Sequence, residues 1–165
     1  MRLGVLTEPE GENRVAIVPN SVKKLMKKGL EVFIQKGAGE KSNYSNSDYL
    51  EAGANICSRD EALSCEIIMS IRMLESSELR KGMNLVCVAD PFRHPEKIKS
   101  CIDSNVTLFS MDMIPRRLSR AQSMDVNSSQ DNLAGYKAVL LGASYVPRGI
   151  PCLLYTSDAA DDNTC

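Results

Sequence analysis

Six short apolar runs, separated by polar and helix-period segments, constrain this chain more than any other feature. They are Arg2–Leu6, Glu31–Gln35, Ala54–Cys57, Ile67–Ile71, Leu85–Ala89 and Val106–Met111. Each is too short for a typical helix and the right length for a strand. Between the first two lies Pro19–Gly29, with Val22, Leu25 and Met26 at i, i+3 and i+4. Proline near its start and Gly29 at its end are where helix termini prefer them. Shorter helices are expected at Asp48–Ala52, Arg59–Leu63, Ser77–Lys81 and Pro95–Ile102. The run Ile67-Ile68-Met69-Ser70-Ile71 is nearly all apolar, as in a parallel strand covered on both faces. Strand–helix alternation of this kind predicts an α/β fold. The expected architecture is an open, doubly wound, mostly parallel sheet, Rossmann-like or flavodoxin-like, with right-handed crossovers.

Composition excludes several classes of function. A net charge of −1 gives no electrostatic footprint for nucleic acid or an anionic membrane surface. No apolar run approaches the roughly 20 residues needed to span a bilayer. The opening Met1–Leu6 is too short for a signal peptide, so an intracellular protein is expected. The cysteines at 57, 65, 87, 101, 152 and 165 form no C-x-x-C pair, and His94 is the single histidine. No metal site is expected, and the thiols read as buried and reduced.

The chain changes character after Met113. Residues 114–125 form a polar, basic loop, and Ser128–Leu141 reads as a long helix rich in small residues. Ser128 suits an N-cap there, with Asp131 three residues on. The expected organisation is a domain over 1–127, an inter-domain helix over 128–148, and a non-native or disordered tail over 149–165. That tail follows none of the earlier patterns.

Few residues offer chemistry. Gly37-Ala38-Gly39-Glu40-Lys41-Ser42 begins G-x-G but lacks the third glycine and a helix behind it, so it is a poor phosphate cradle. No Walker-type P-loop or nucleophile elbow is present. His94, flanked by Pro91 and Pro95, reads as a loop residue, with general acid–base work as the alternative. The loop holding Arg117, Gln122 and Asp125 is the strongest signal. It follows a strand's carboxyl end, where open α/β sheets bind ligands. An arginine and an aspartate can pair and fix it, and a side-chain amide offers a donor and an acceptor to a planar amide ligand. The alternative is a polar connector that caps the next helix.

The opening Gly4-Val5-Leu6-x-Glu8, followed by Glu12-Asn13-Arg14-Val15-Ala16-Ile17-Val18-Pro19, resembles the alanine dehydrogenase/transhydrogenase superfamily. So does Glu31-Val32 leading into Lys36-Gly37-Ala38-Gly39, a turn in that family. The stretch Ser119-Arg120-Ala121-Gln122-Ser123-Met124-Asp125-Val126, continuing through Ser128-Ser129-Gln130 to Asn132–Val139, resembles the alpha subunit of proton-translocating NAD(P) transhydrogenases. The likeness covers residues 1 to about 148.

That resemblance implies NAD(H) bound in a cleft between two Rossmann-like subdomains. Hydride passes to NADP(H) on a partner domain, coupled to proton translocation through a membrane-embedded subunit. It also implies a homodimer, held at the cytoplasmic face of the inner membrane by its partners. By matching positions the cofactor-binding residues are Arg117, Gln122, Asp125 and Ser128, with Arg116 competing for the role of Arg117; no catalytic residue carries over. The family's NAD-binding motif follows the long helix. The chain is therefore expected to be truncated before that second subdomain, inactive alone, and without bound cofactor. The alanine dehydrogenase branch fits less well. It carries a catalytic histidine where this chain has Asp90 and a substrate lysine near Arg72, although Arg14 matches its pyruvate-contacting position. A non-catalytic α/β partner-binding module is the third reading.

Overall fold

The computed structural model describes residues 1–146, so the expected tail over 149–165 and the end of the expected inter-domain helix lie outside the described residues. The chain divides into two compact units, Met1–Asp125 and one that begins at Val126. The first unit holds strands β1 (Arg2–Val5), β2 (Glu31–Gln35), β3 (Asn55–Cys57), β4 (Ile67–Met69), β5 (Asn84–Cys87) and β6 (Thr107–Ser110). Its helices are α1 (Pro19–Met26), α2 (Asn46–Glu51), α3 (Arg59–Leu63) and α4 (Pro95–Asp103). The six strands form one sheet in the order β3-β2-β1-β4-β5-β6, and every neighbouring pair is parallel. The second unit is described by α5 (Val126–Tyr145).

Alternating side chains feed two cores. Leu3, Val5, Val32 and Ile34 pack with Val22 of α1 and Tyr49 of α2 in one cluster. Ile68, Leu85 and Cys87 pack with Ala62 and Leu63 of α3 in the other. Tyr49 is fully buried, and its hydroxyl donates to the Ile17 carbonyl at 2.8 Å, which pins α2 to the loop before α1. Gly4 is required by close packing: a Cβ there would overlap the Ala62 carbonyl oxygen, so α3 could not lie so close to β1.

Four of the cysteines, Cys57, Cys65, Cys87 and Cys101, are buried free thiols. Burial pushes the Cys57 thiol up to about 11 and the Cys87 thiol up to about 12, so neither is a thiolate near neutrality.

Two helical expectations are corrected. Ser77–Lys81 is instead a single 3₁₀ turn, Ser76–Glu78, because Leu79 is extended at φ −71°, ψ 131° on its way to β5. The long helix starts at Val126 and not at Ser128, so Ser128 is its third residue and no N-cap. Asp125, extended at φ −75°, ψ 93°, is the residue before it.

Candidate functional site

The carboxyl ends of the strands carry nearly all the unusual polar chemistry of the first unit. Glu8 and Glu12, on the loop after β1, are each only 6% exposed. Glu8 accepts the N–H groups of Ile71 at 2.6 Å and Arg72 at 3.0 Å, just beyond β4. Burial raises its carboxyl above the ordinary range, against those two bonds and with help from the Glu12 charge. Glu12 is gripped by Arg14, whose Nε and Nη2 donate at 2.8 and 2.7 Å, and by Arg72 Nε at 3.1 Å. The Arg14 bonds outweigh burial and hold Glu12 down at about 2.

Beside this network lies a cleft of about 330 Å³, lined by Thr7, Gln35, Arg59, Ser70, Arg72 and Glu78 among others. Its polar groups are largely engaged with one another. Arg59 makes a two-bond pair with Glu78 at 2.6 and 3.1 Å, and Gln35 Oε1 accepts the Thr7 N–H at 2.9 Å.

Asp112 organises the other end of the edge. It sits in a 3₁₀ turn, Met111–Met113, directly after β6. Its Oδ1 and Oδ2 accept the N–H groups of Ala89 at 3.1 Å and Asp90 at 3.0 Å, beyond β5, and the Ser110 hydroxyl donates to Oδ1 at 2.6 Å.

The segment that follows carries the residues expected from sequence. It is a chain of tight turns: Leu118 N–H donates to Pro115 O, Ala121 and Gln122 N–H to Leu118 O, and Asp125 N–H to Gln122 O. Ala121 and Asp125 are buried, at 6% and 8% exposure. Gln122 and Arg117 are exposed. The ion pair is made by Arg116, whose Nε lies 3.8 Å from Asp125 Oδ2. Sequence left Arg116 and Arg117 in competition, and it is the first that faces the aspartate. Ser128 belongs to the second unit. His94 precedes α4 with its side chain half exposed and Nδ1 3.4 Å from Glu96.

The glycine turn is structural. Gly37 N–H donates to Asn46 Oδ1 at 3.0 Å, and a Cβ on Gly39 would come within 2.6 Å of the Tyr49 ring. Gly39 is required by packing and Gly37 by its left-handed backbone at φ 82°, and the N–H groups of Gly37, Ala38 and Glu40 are all taken up within the protein. Among the described residues no cluster of His, Cys, Asp and Glu has a metal-binding arrangement. No helix among them is long and apolar enough to cross a membrane.

Residues 4–134 match the family described as alanine dehydrogenase/PNT, N-terminal domain. The chain belongs to this family. Its alanine dehydrogenase/PNT fold is also seen in a solved transhydrogenase from Sinorhizobium meliloti, with a TM-score of 0.85 at 36% identity, covering 90% of this chain and 46% of that one. The NAD(P) transhydrogenase subunit alpha of Cereibacter sphaeroides is 38% identical over 146 residues, which is 85% of this chain and 28% of that protein. The alanine dehydrogenase of Bacillus subtilis is more distant, 28% identical over 156 residues, covering 90% of this chain and 40% of that enzyme. The chain spans less than half the length of each. The transhydrogenase likeness expected from 119–139 is thus the stronger of the two.

The network Glu8–Glu12–Arg14–Arg72 and the Asp112 clamp were not foreseen as units. Glu12–Arg14 and Ser110–Asp112 are local pairs, but the bonds that reach Ile71, Arg72, Ala89 and Asp90 span about 20 to 64 residues, and the strand order brings those together.

Proposed function

We propose that this chain is the leading part of the NAD(H)-binding alpha subunit of a proton-translocating NAD(P) transhydrogenase. Its share of the work is to grip the nicotinamide end of NAD(H) with the 114–125 segment. The reading is supported by one observation above the others. The segment leaves the carboxyl end of β6 as a tightly turned loop, with Asp125 buried beside Arg116 and the Gln122 amide exposed. Such an amide can donate one hydrogen bond and accept another, which matches a carboxamide. By family position the resemblance adds Ser128 and one loop arginine, Arg117 or its competitor Arg116.

The residues fit one end of the cofactor only. The N–H groups of Gly37, Ala38 and Glu40 in the glycine turn are bonded within the protein, so the pyrophosphate and adenosine need the second Rossmann-like subdomain of the longer protein. The cofactor, when bound, supplies the hydride. The chain's own residues orient the ring and need no general base, because hydride transfer depends on positioning more than on proton chemistry. The hydride acceptor, NADP(H), belongs to a partner domain. The membrane-embedded subunit couples the transfer to proton movement and keeps this soluble part, as a homodimer, at the cytoplasmic face of the inner membrane.

Calorimetry tests this directly. NADH titrated into the 165-residue chain should give no measurable binding. In the longer alpha subunit, Gln122→Ala should weaken NADH by about tenfold, the effect of losing roughly one or two hydrogen bonds. Tight NADH binding by the short chain, or an unchanged affinity in the variant, overturns the reading.

A further inference from the structure

The 114–125 segment is a loop, and loops hold a ligand well only when their roots are fixed. Its outgoing root continues into α5. Its incoming root is the turn Met111–Met113 after β6, on the edge of the sheet. An edge strand has a neighbour on one side only, so the end of β6, like that of β3 at the other edge, is less constrained than the four inner strand ends. Asp112 stands at that root. Its carboxylate reaches across to the end of β5 and takes two consecutive backbone N–H groups, Ala89 at 3.1 Å and Asp90 at 3.0 Å. Asp90 has a left-handed backbone at φ 44°, a conformation that costs a non-glycine residue energy and needs outside support.

We propose that Asp112 is a positioning residue for the nicotinamide segment, a side-chain clamp that ties the end of β6 to the end of β5 and thereby fixes where residues 114–125 leave the sheet. This rests on the reading of that segment given above. It goes further by naming a residue that touches no part of the cofactor and acts through Gln122 and Asp125. Two further observations support it. The Ser110 hydroxyl donates to Oδ1 at 2.6 Å, so the carboxylate is oriented as well as bonded. Burial works against its charge, yet the donated bonds prevail and hold the group below the ordinary carboxylate range, as expected of an anion built into place. The same device recurs where Glu8 of the β1 loop takes Ile71 and Arg72 N–H beyond β4. That second clamp serves as an internal control, because it fixes the same edge at a different junction.

The test is amide hydrogen exchange in the full 165-residue chain, on wild type, Asp112→Asn, Asp112→Glu and Glu8→Gln. In Asp112→Asn the amides of Ala89 and Asp90 should lose protection. So should Leu118, Ala121, Gln122 and Asp125, by about tenfold or more, since charge-assisted bonds are the ones removed. The β1 and β2 core amides should stay unchanged, and Asp112→Glu should recover part of the loss. Glu8→Gln should affect Ile71 and Arg72 and spare the 118–125 amides. Ser110→Ala, a milder change, keeps the test open if the Asp112 variants fail to fold. It should accelerate the same 118–125 amides by about threefold, as loss of one hydrogen bond predicts. The proposal fails if the 118–125 amides are indifferent to Asp112→Asn or to Ser110→Ala, or if they lose protection only in step with the core. Exchange reports loop order without cofactor, so a negative result here leaves the nicotinamide reading standing, and a failed NADH titration leaves this clamp standing.

Discussion

Glu8 and Glu12 lie four residues apart on one loop and are pushed in opposite directions. Burial dominates at Glu8 and raises its carboxyl, while the Arg14 guanidinium dominates at Glu12 and lowers it to about 2 from an ordinary 4.5. The consequences for folding have opposite signs. A carboxyl whose folded value is depressed contributes stability that is complete above about pH 4.5 and is lost as pH falls toward 2. Glu8, with a raised value, opposes this by favouring the protonated folded form. The Glu12→Gln variant should therefore lose stability at pH 7 and show a much flatter decline between pH 5 and pH 2, roughly the interval separating the two Glu12 values. Urea titrations at a series of pH values measure both effects. An acid limb as steep as that of wild type would mean that Glu12 is not the group responsible.

Helix α2 shows what a short element needs. It has six residues, too few to form on propensity alone, and it is stabilised at both levels that matter. Ser45 Oγ accepts the Asp48 N–H while Asp48 accepts the Ser45 N–H, closing a capping box, and Tyr49 anchors the helix to the core. Ser45→Ala should lower the urea midpoint by roughly 0.5 M with the slope unchanged, as expected for loss of an N-cap in a protein that still unfolds as one unit. A changed slope would instead point to local melting of α2. The sequence made β2 and α3 legible to the residue, because alternation and a Ser-led acidic first turn are local signals. It makes α2 legible only in part: the apolar pattern points to Asp48–Ala52, whereas the helix is Asn46–Glu51, capped by Ser45. The segment 76–82 misled for a related reason. Ser-Ser-Glu-Leu-Arg favours a helix start, but the chain must turn at Gly82 and enter β5 within a few residues, and tertiary demand overrides propensity.

At the scale of the whole molecule, the strand order places a topological switch point between β1 and β4, the usual ligand crevice of such sheets. The alternation of strands and helices predicted the sheet and its class. The spacing of residues could not predict the state of that crevice, because its partners come from loops some 60 residues apart. In this chain the charged groups around the crevice are largely paired with one another. Glu8 consumes the backbone donors beyond β4, and Glu12 occupies both Arg14 and Arg72. The segment proposed to hold nicotinamide lies instead beyond the edge strand β6. This arrangement separates the two branches of the family at one measurable point. If Arg14 and Arg72 formed a working oxoacid site, pyruvate at ten times its dissociation constant would stabilise the chain by about 1.4 kcal/mol and raise its melting temperature by a few degrees. With both guanidiniums already bonded to a carboxylate that stays ionised down to about pH 2, pyruvate at roughly 10 mM should leave the wild-type melting temperature unchanged. Glu12→Gln, which removes the carboxylate charge that both arginines face, should make it responsive to pyruvate and to acetate alike. A pyruvate-specific rise in the wild-type chain would count against the transhydrogenase branch and for the alanine dehydrogenase one.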